Sequence, residues 1–250
     1  MEKIDTRRTT LGLGIFCHFG PAVAILTTTM LKRLLSILPL ALFCTHPLLA
    51  QDWSLGIGTG PFVFGHFAER KIRLGTEGGS SVTTITTGAA TRAGLSVDLE
   101  HALTPALSVR FGGTFTEAPI SVRNLRGDNS ISLDAGKVEV GTFALPLIWN
   151  INRSGALRFH LGAGPAYALY HIRRPAGGSP LFDGTRPRWG AIGQAGVAWQ
   201  WSRRFAVEGA ISDVVTSSPL DRDDFPANSI GLSIPRPHNV HTTVGVRYRF

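Results

Sequence analysis

The sequence predicts an all-β protein, an eight-stranded antiparallel up-and-down transmembrane β-barrel. First, beyond Gln51 apolar and polar residues alternate with a period of two, in stretches of about ten to fourteen residues. Second, these stretches are joined alternately by tight turns and by segments of about twenty residues, which are uncommon in compact soluble domains. Third, the alternation continues to the last residue, Phe250, although chain ends usually fray. The last strand must therefore be paired in a sheet to its end.

The composition excludes several other classes of protein. The chain has 250 residues and two cysteines, Cys17 and Cys44, so the part after Gln51 offers neither a disulfide framework nor a thiolate metal site. The net charge is +8, but the basic residues are mostly single, scattered arginines. This scatter favours a solvated surface or acidic lipid head groups over a nucleic-acid groove.

The N-terminal fifty residues have the pattern of an export signal. Lys32 and Arg33 precede an apolar run and a short segment that ends at Ala50, and the run is too short to span a membrane as a helix. We therefore predict a signal peptide over residues 30–50, and a barrel domain over residues 51–250. Residues 1–29 are predicted to result from a start codon assigned too early or to be a disordered extension. Cys44 is not expected to carry lipid, because the bulky Phe43 precedes it.

The eight predicted strands follow in order along the barrel domain. They cover residues 53–66, 87–100, 106–117, 138–151, 156–171, 189–201, 204–215 and 239–250. The tight turns after the second, fourth and sixth strands consist of residue types that favour turns. The other connections, residues 67–86, 118–137, 172–188 and 216–238, are expected to be long loops. In an up-and-down barrel all of these loops lie at one end, and both chain termini lie at the other.

The apolar face of the strands is predicted to face lipid. The opposite face carries mostly Gly, Ala, Ser and Thr with a charge every few positions, which fits the narrow interior of an eight-stranded barrel. The charges on this face are expected to form a structural ion network that fills the lumen: Asp98, Glu100, Arg110, Arg158, Glu208, Arg247 and Arg249. The fourth strand departs from the pattern, because Glu139 shares the face of Phe143 and Leu145. A β-bulge near Gly141 would correct it.

Val244, Val246, Tyr248 and the terminal Phe250 alternate along the last strand. In this feature the chain resembles the small bacterial outer-membrane β-barrels, the OmpA transmembrane domain and the OmpX/Ail group. The resemblance extends over about residues 52–250, and the terminal pattern is its specific part. It implies that these four residues are the signal by which the barrel-assembly machinery inserts the protein into the outer membrane.

Catalytic patterns are weak, and we predict no enzyme, no cofactor and no metal site. Some barrels of this class act on lipid A, but the nearest His-x-Ser arrangements are His241-x-Thr243 and His160-x-Gly162. His66, Asp128 and Ser130 are the candidates for a catalytic His, Asp and Ser near the long loops. No spacing in the sequence indicates that these three side chains meet. The stretch "GIGTG" at residues 56–60 is followed by no helix that could hold a phosphate.

The sequence therefore favours a monomeric outer-membrane barrel with a structural or surface-interaction role and long extracellular loops as its binding surface. Its expected partners are outer-membrane lipid and lipopolysaccharide, with no nucleic acid. The candidate contacts to lipopolysaccharide phosphates are four arginines: Arg173, Arg174, Arg186 and Arg188. The alternatives are a narrow channel or carrier for small apolar solutes and, third, a lipid-A-modifying enzyme.

Overall fold

The computed structural model describes residues 53–76, 79–126, 129–152, 155–173, 184–225 and 231–250. These residues belong to one compact unit, Pro47–Phe250. The predicted signal peptide, the extension before it, Asp128 and Arg174 lie outside the described residues. Within the described ranges, no helix is long and apolar enough to cross a membrane.

Strands account for nearly all of the described chain. They are β1 (Trp53–Val63), β2 (His66–Thr76), β3 (Gly79–Ala89), β4 (Arg92–Thr104), β5 (Leu107–Arg126), β6 (Asn129–Ala144), β7 (Leu147–Asn150), β8 (Leu157–Arg173), β9 (Gly184–Gln200), β10 (Phe205–Thr216), β11 (Leu232–Ser233) and β12 (His238–Arg249). One 3-10 turn, Arg222–Asp224, lies between β10 and β11.

Eight antiparallel strand positions close into a ring, which confirms the predicted fold class. The order around the ring is β1, β4, β5, β6 with β7, β8, β9, β10, β12 and again β1. The short β7 continues the fourth ring strand after a break at Leu145 and Pro146. The residue pairings can be followed from Leu55 across each ring strand in turn. They return to β1 at a position about ten residues further along the chain. With ordinary strand spacings this shift tilts the strands by about 40° to the barrel axis.

Two of the four expected long loops are β-hairpins, so the loop prediction was wrong for them. Strands β2 and β3 replace the loop expected over 67–86, and they continue the ladder of β1 and β4 beyond the ring. The upper parts of β5 and β6 replace most of the loop over 118–137, and they pair as far as Arg126 and Asn129. Continuing the ladders keeps the backbone N–H and C=O groups paired, which a structureless loop would leave to water. We call this end of the barrel the hairpin end and the opposite one, with the short turns and the C-terminus, the turn end.

Large apolar side chains cover the outer face of the ring. Among the most exposed are Phe111 at 58%, Ile211 at 50% and Val244 at 63%. Aromatic rings collect at both borders of this apolar belt, as amphipathic rings do at head-group level. Tyr167 and Trp189 pack together at the hairpin end, with ring centroids 4.9 Å apart. At the turn end the aromatic residues are Trp53, Trp149, Trp199, Trp201, Phe205, Tyr248 and Phe250.

The fourth ring strand has no bulge at Gly141, so that prediction was also wrong. Gly141 lies opposite Phe115 and Glu139 opposite Glu117 in one continuous register, and the shift in this ladder falls between Ile120 and Ser121 of β5. Glu139 stays on the outer face. It lies beyond the apolar belt, where its carboxylate is 2.6 Å from the guanidinium of Arg173. An outward charge needs no correction at that height, because it meets water and an ion partner.

Candidate functional site

The interior of the barrel is the candidate site, and its turn-end half is occupied by an ion network on four strands. Arg110 of β5 donates from Nε and Nη2 to Oε2 of Glu100, at 2.9 and 2.7 Å. Its Nη1 donates to Oε1 of Glu208 at 2.8 Å. Arg247 of β12 donates from Nε to Oε2 of Glu208 at 2.6 Å and from Nη2 to Oδ1 of Asp98 at 2.7 Å. Five charged side chains from β4, β5, β10 and β12 thus form one connected network.

The network contains three carboxylates and two guanidinium groups, and none of the five side chains is more than 18% exposed. Burying these charges is tolerated because each one meets opposite charges at hydrogen-bonding distance. His160 lies beside them, with its Nε2 at 3.4 Å from Oε1 of Glu208, but the geometry does not make a hydrogen bond. Ser108 completes the set by donating from Oγ to Oε1 of Glu100 at 2.6 Å.

Two glycines make room for these side chains. A Cβ atom at Gly56 would stand 2.6 Å from Oδ2 of Asp98 and 2.9 Å from Nη2 of Arg247. One at Gly196 would stand 2.5 Å from the ring of His160. The small inner-face residues that suggested a narrow lumen are therefore the neighbours of its large charged groups.

Two of the seven residues predicted for the network stay outside it. Arg158 and Arg249 lie on inner-face positions closer to the turn end, and neither forms an ion pair with any residue that the structure describes. The Nε atom of Arg158 is shielded from solvent and has no hydrogen-bond partner among the described groups. The alternation placed both residues on the correct face, but it carries no information on how far each guanidinium reaches.

A cavity of about 90 Å³ lies on the hairpin side of the network. Its walls include the polar side chains of Ser96, Thr114, Gln194, Ser212 and Thr243. The volume suits a few ordered waters and is far below the size of a typical ligand pocket.

An apolar core fills the barrel above the cavity, and the sequence analysis missed it. Its fully buried members include Phe62, Phe67, Val140 and Tyr170, and Leu220 joins them from the connection after β10. A signal was present in the sequence, since alternate residues of β6 and β8 on the inner face are apolar: Val138, Val140, Ala166, Ala168, Tyr170 and Ile172. The apolar core was not predicted because the inner-face residues of the other strands are mostly small or polar, which suggested a polar lumen throughout.

Tyr170 carries its hydroxyl into this core, where it meets the buried polar side chains of Thr216 and Asn239, at a height beyond the outer apolar belt. Its hydroxyl is 2.9 Å from Oγ1 of Thr216 and accepts a hydrogen bond from Nδ2 of Asn239 at 2.7 Å. Burial raises the pKa of the Tyr170 phenol, and its hydrogen bonds to Thr216 and Asn239 only partly offset that effect.

A cover segment, residues 217–225, closes the hairpin end over the apolar core. Arg186 donates from Nη1 to Asp221 at 3.0 Å and from Nη2 to Asp224 at 2.6 Å. Arg188 donates from Nη2 to Asp221 at 2.6 Å and from Nε to the carbonyl of Ser218 at 2.7 Å. The second ion cluster thus fixes the cover segment to β9.

These contacts change the expectation for the basic loop. Arg186 and Arg188 lie on inner-face positions of β9, and their guanidinium groups are taken by the cover segment instead of facing the surroundings. Arg173 faces outward with 59% of its side chain exposed, but it pairs with Glu139. The acidic stretch at residues 221–224 is the signal in the sequence that could have predicted partners for Arg186 and Arg188.

The histidines considered for catalysis are not assembled into a reactive set. His241 is buried, with its ring centroid 5.5 Å from that of Phe62, and its Nε2 has no hydrogen-bond partner among the described residues. Thr243 bonds from Oγ1 to the carbonyl of Ala210 at 3.4 Å, away from any imidazole contact that the structure shows. Within the described residues, no group of three or more His, Cys, Asp or Glu side chains could hold a metal ion.

The last strand is paired on both sides to its end. Val244 and Val246 are exposed on the outer face, and the rings of Tyr248 and Phe250 are 5.3 Å apart. The backbone N–H of Phe250 donates to the carbonyl of Trp53 at 3.1 Å. All four residues of the predicted insertion signal therefore lie on one lipid-facing stripe.

Comparison with known structures agrees with this geometry. The outer membrane protein OprG from Pseudomonas aeruginosa superposes with a TM-score of 0.51 and 12% sequence identity, covering 80% of this chain and 97% of OprG. The outer membrane protein AlkL gives a TM-score of 0.50 and 14% identity, covering 80% of this chain and 90% of AlkL. This chain has the fold of the small outer-membrane β-barrels. The expected resemblance is thereby confirmed at the level of the fold.

A further, weaker match is Ail, the attachment invasion locus protein of Yersinia pestis. The TM-score is 0.40 and the identity 12%, over 79% of this chain and 97% of Ail. No family model matches the sequence, and no curated protein matches it either. Function therefore has to be argued from the interior and surface of this barrel.

Proposed function

We propose that this chain is a closed barrel of the bacterial outer membrane with a structural or surface-interaction role. The observation that carries the proposal is that its interior is closed at two levels. The network of Arg110 and Arg247 fills the turn-end half, and the apolar core under the cover segment fills the hairpin end. A cavity of about 90 Å³ lies between them.

The width of the barrel supports a closed interior. A ring of eight strands encloses a space that side chains alone can fill. A solute would have to separate Arg110 from Glu208, at 2.8 Å, and then displace Phe62, which is 1% exposed. Both movements break contacts that are costly to lose in a buried setting.

The working surface in this proposal is the sheet at the hairpin end. Strands β2 and β3 and the upper parts of β5 and β6 continue beyond the aromatic border, and their ladder pairs β3 with β5 from Thr84 to Ala89. A hydrogen-bonded sheet presents partners with a fixed surface, unlike the long loops that the sequence suggested. The turn end then faces the periplasm.

The membrane partners follow from the outer face. Lipid contacts the apolar belt, and Val244, Val246, Tyr248 and Phe250 provide the signal to the barrel-assembly machinery. We infer that lipopolysaccharide contact is limited to outward-facing residues such as Arg173, since Arg186 and Arg188 are engaged inside. A closed ring with no free edge also suits a monomer.

One observation favours a second candidate, a carrier for small apolar solutes. The core at the hairpin end is apolar and lies beside the outer aromatic border, so a movement of the cover segment would expose an apolar surface to a solute. In that case the solute would leave sideways or through the cavity. The closed barrel remains our conclusion because Ser218 and Leu220 tie the cover segment into the core itself.

Reconstitution into planar bilayers tests the proposal. We expect no steady conductance from the wild-type protein, no faster entry of a small apolar dye into proteoliposomes, and no change in the mass of lipid A. A Phe62→Ala variant is the matched control, because it widens the interior between the cavity and the apolar core. Steady conductance with wild-type protein, increased by Phe62→Ala, would establish a channel instead, and faster dye entry without conductance would establish a carrier. A lipid A mass change that is lost in a His241→Ala variant would establish an enzyme.

A further inference from the structure

Three arginines lie at the turn end of the barrel, and two of them, Arg158 and Arg249, are on inner-face positions of their strands. Arg249 follows Arg247 by two residues on β12, and Arg158 precedes His160 by two residues on β8. Arg204 comes directly before β10, and its carbonyl accepts the backbone N–H of Arg249 at 2.8 Å. Arg204 and Arg249 are therefore directly opposed across two neighbouring strands.

These three charges have no acidic partner among the described residues. The carboxylates nearest along the strands, Glu100 and Glu208, are already bound by Arg110 and Arg247. The like charges of Arg204 and Arg249 instead stand opposite each other at the end of the ladder. Like charges placed opposite each other in a sheet lower stability, so this arrangement costs the unliganded barrel free energy.

Arg158 differs from a solvated rim residue, whereas Arg204 and Arg249 are exposed. A guanidinium on a rim would have all its donors in water, but Nε of Arg158 is shielded from solvent and donates to no group that the structure describes. A hydrogen-bond donor that is shielded from water and lies at the same end of the barrel as other positive charges favours the binding of an anion. All three residues are arginines, whose planar donors match the oxygen atoms of phosphate in pairs.

We propose that Arg158, Arg204 and Arg249 form an oxyanion-binding site at the turn-end mouth of the barrel, which takes a phosphate group. The phosphate comes from a free anion on that side of the membrane or from the head group of a lipid in the adjoining leaflet. The site does not depend on the proposed function, because it lies outside the ion network and would be present in a closed barrel or in a carrier alike.

Thermal unfolding of the purified full chain in maltoside micelles, with and without inorganic phosphate, tests the site. We expect phosphate to raise the unfolding temperature of the wild-type protein. The Arg249→Gln variant should unfold at a higher temperature than wild type in phosphate-free buffer, because the repulsion is relieved. Phosphate should bind it at least roughly tenfold more weakly, as expected when a charge-assisted hydrogen bond is lost.

Two further variants separate this site from other effects. Arg204→Gln should behave like Arg249→Gln while leaving the last strand intact. Arg92→Gln changes an exposed arginine at the opposite end of the barrel and should respond to phosphate as wild type does. No shift with wild-type protein, or equal phosphate shifts in Arg249→Gln, Arg92→Gln and wild type, would overturn the site.

Repeating the measurement in two kinds of bilayer distinguishes the sources of phosphate. In phosphate-free glycolipid bilayers, added phosphate should stabilise the wild-type protein in either case. If lipid head groups fill the site, added phosphate should no longer raise the unfolding temperature of the wild-type protein in phospholipid bilayers. The wild-type protein and Arg249→Gln should still differ in unfolding temperature there. If the natural ligand is a free anion, the response to added phosphate should persist in phospholipid bilayers.

Discussion

Replacing Arg110 with methionine tests the ion network at its centre. Arg110 lies 2.7 Å from Glu100, 2.8 Å from Glu208 and 3.5 Å from Asp98. Arg110→Met leaves all three carboxylates with one guanidinium, that of Arg247. Removing one partner of a buried ion pair costs about 3–5 kcal/mol, because the remaining charges stay buried without compensation. Methionine keeps much of the side-chain volume, so the cavity adds little to this cost.

A double variant shows whether the cost comes from charge. In Arg110→Met combined with Glu208→Gln, two carboxylates and one guanidinium remain, which restores the net charge of the wild-type network. We expect the double variant to be less destabilised than the sum of the two single variants, by about 1–3 kcal/mol. Simple additivity would mean that Arg110 and Glu208 do not act as a pair.

The measurement is urea unfolding in phospholipid bilayers, followed by the fluorescence of the tryptophans. The exposed pair of Lys137 and Glu117, at 3.0 Å, supplies the control on the same protein. Lys137→Met should cost less than about 1 kcal/mol, since solvent screens this pair. A cost for Arg110→Met that is as small as the control would refute the view that the network holds the barrel closed.

Three other predictions follow from the strands and the apolar core. Deleting Phe250, whose N–H bonds the carbonyl of Trp53, should leave the chain unassembled, and a heat-modifiable band at normal yield on a gel would contradict the insertion signal. Phe111→Lys should cost about 2–4 kcal/mol in bilayer unfolding because residue 111 faces lipid, while Gln194→Lys on the lumen side should cost clearly less; equal costs would argue against a membrane barrel. An alkaline absorbance titration should show a phenol whose pKa lies above the ordinary tyrosine range and which disappears in Tyr170→Phe, since burial raises this pKa. The neutral phenol's contribution to stability is fully present below the pKa of an unfolded tyrosine and is lost as the pH rises through the raised pKa, and a profile unchanged in Tyr170→Phe would contradict the burial.

The strands and their two faces could be predicted from the sequence because they depend on a local pattern. A period of two places neighbouring side chains on opposite faces wherever a strand forms, so Val244 and Arg247 were assigned to their faces without knowledge of any other strand. The same rule placed Arg110, Glu208 and Asp98 in the lumen. The alternation of Val244, Val246, Tyr248 and Phe250 suggested the resemblance to the small outer-membrane barrels, which the fold confirmed.

Tertiary structure alone decided which of those residues meet. Asp98 and Arg247 are 149 positions apart in sequence and touch because the registers around the ring bring them to one height, whereas Arg158 and Arg249 fall closer to the mouth. The apolar core, the cover segment and the hairpins depend in the same way on how far each ladder continues past the membrane. The physical reason is that alternation sets the direction of a side chain, while its height in the barrel is set by the accumulated stagger of all eight strands.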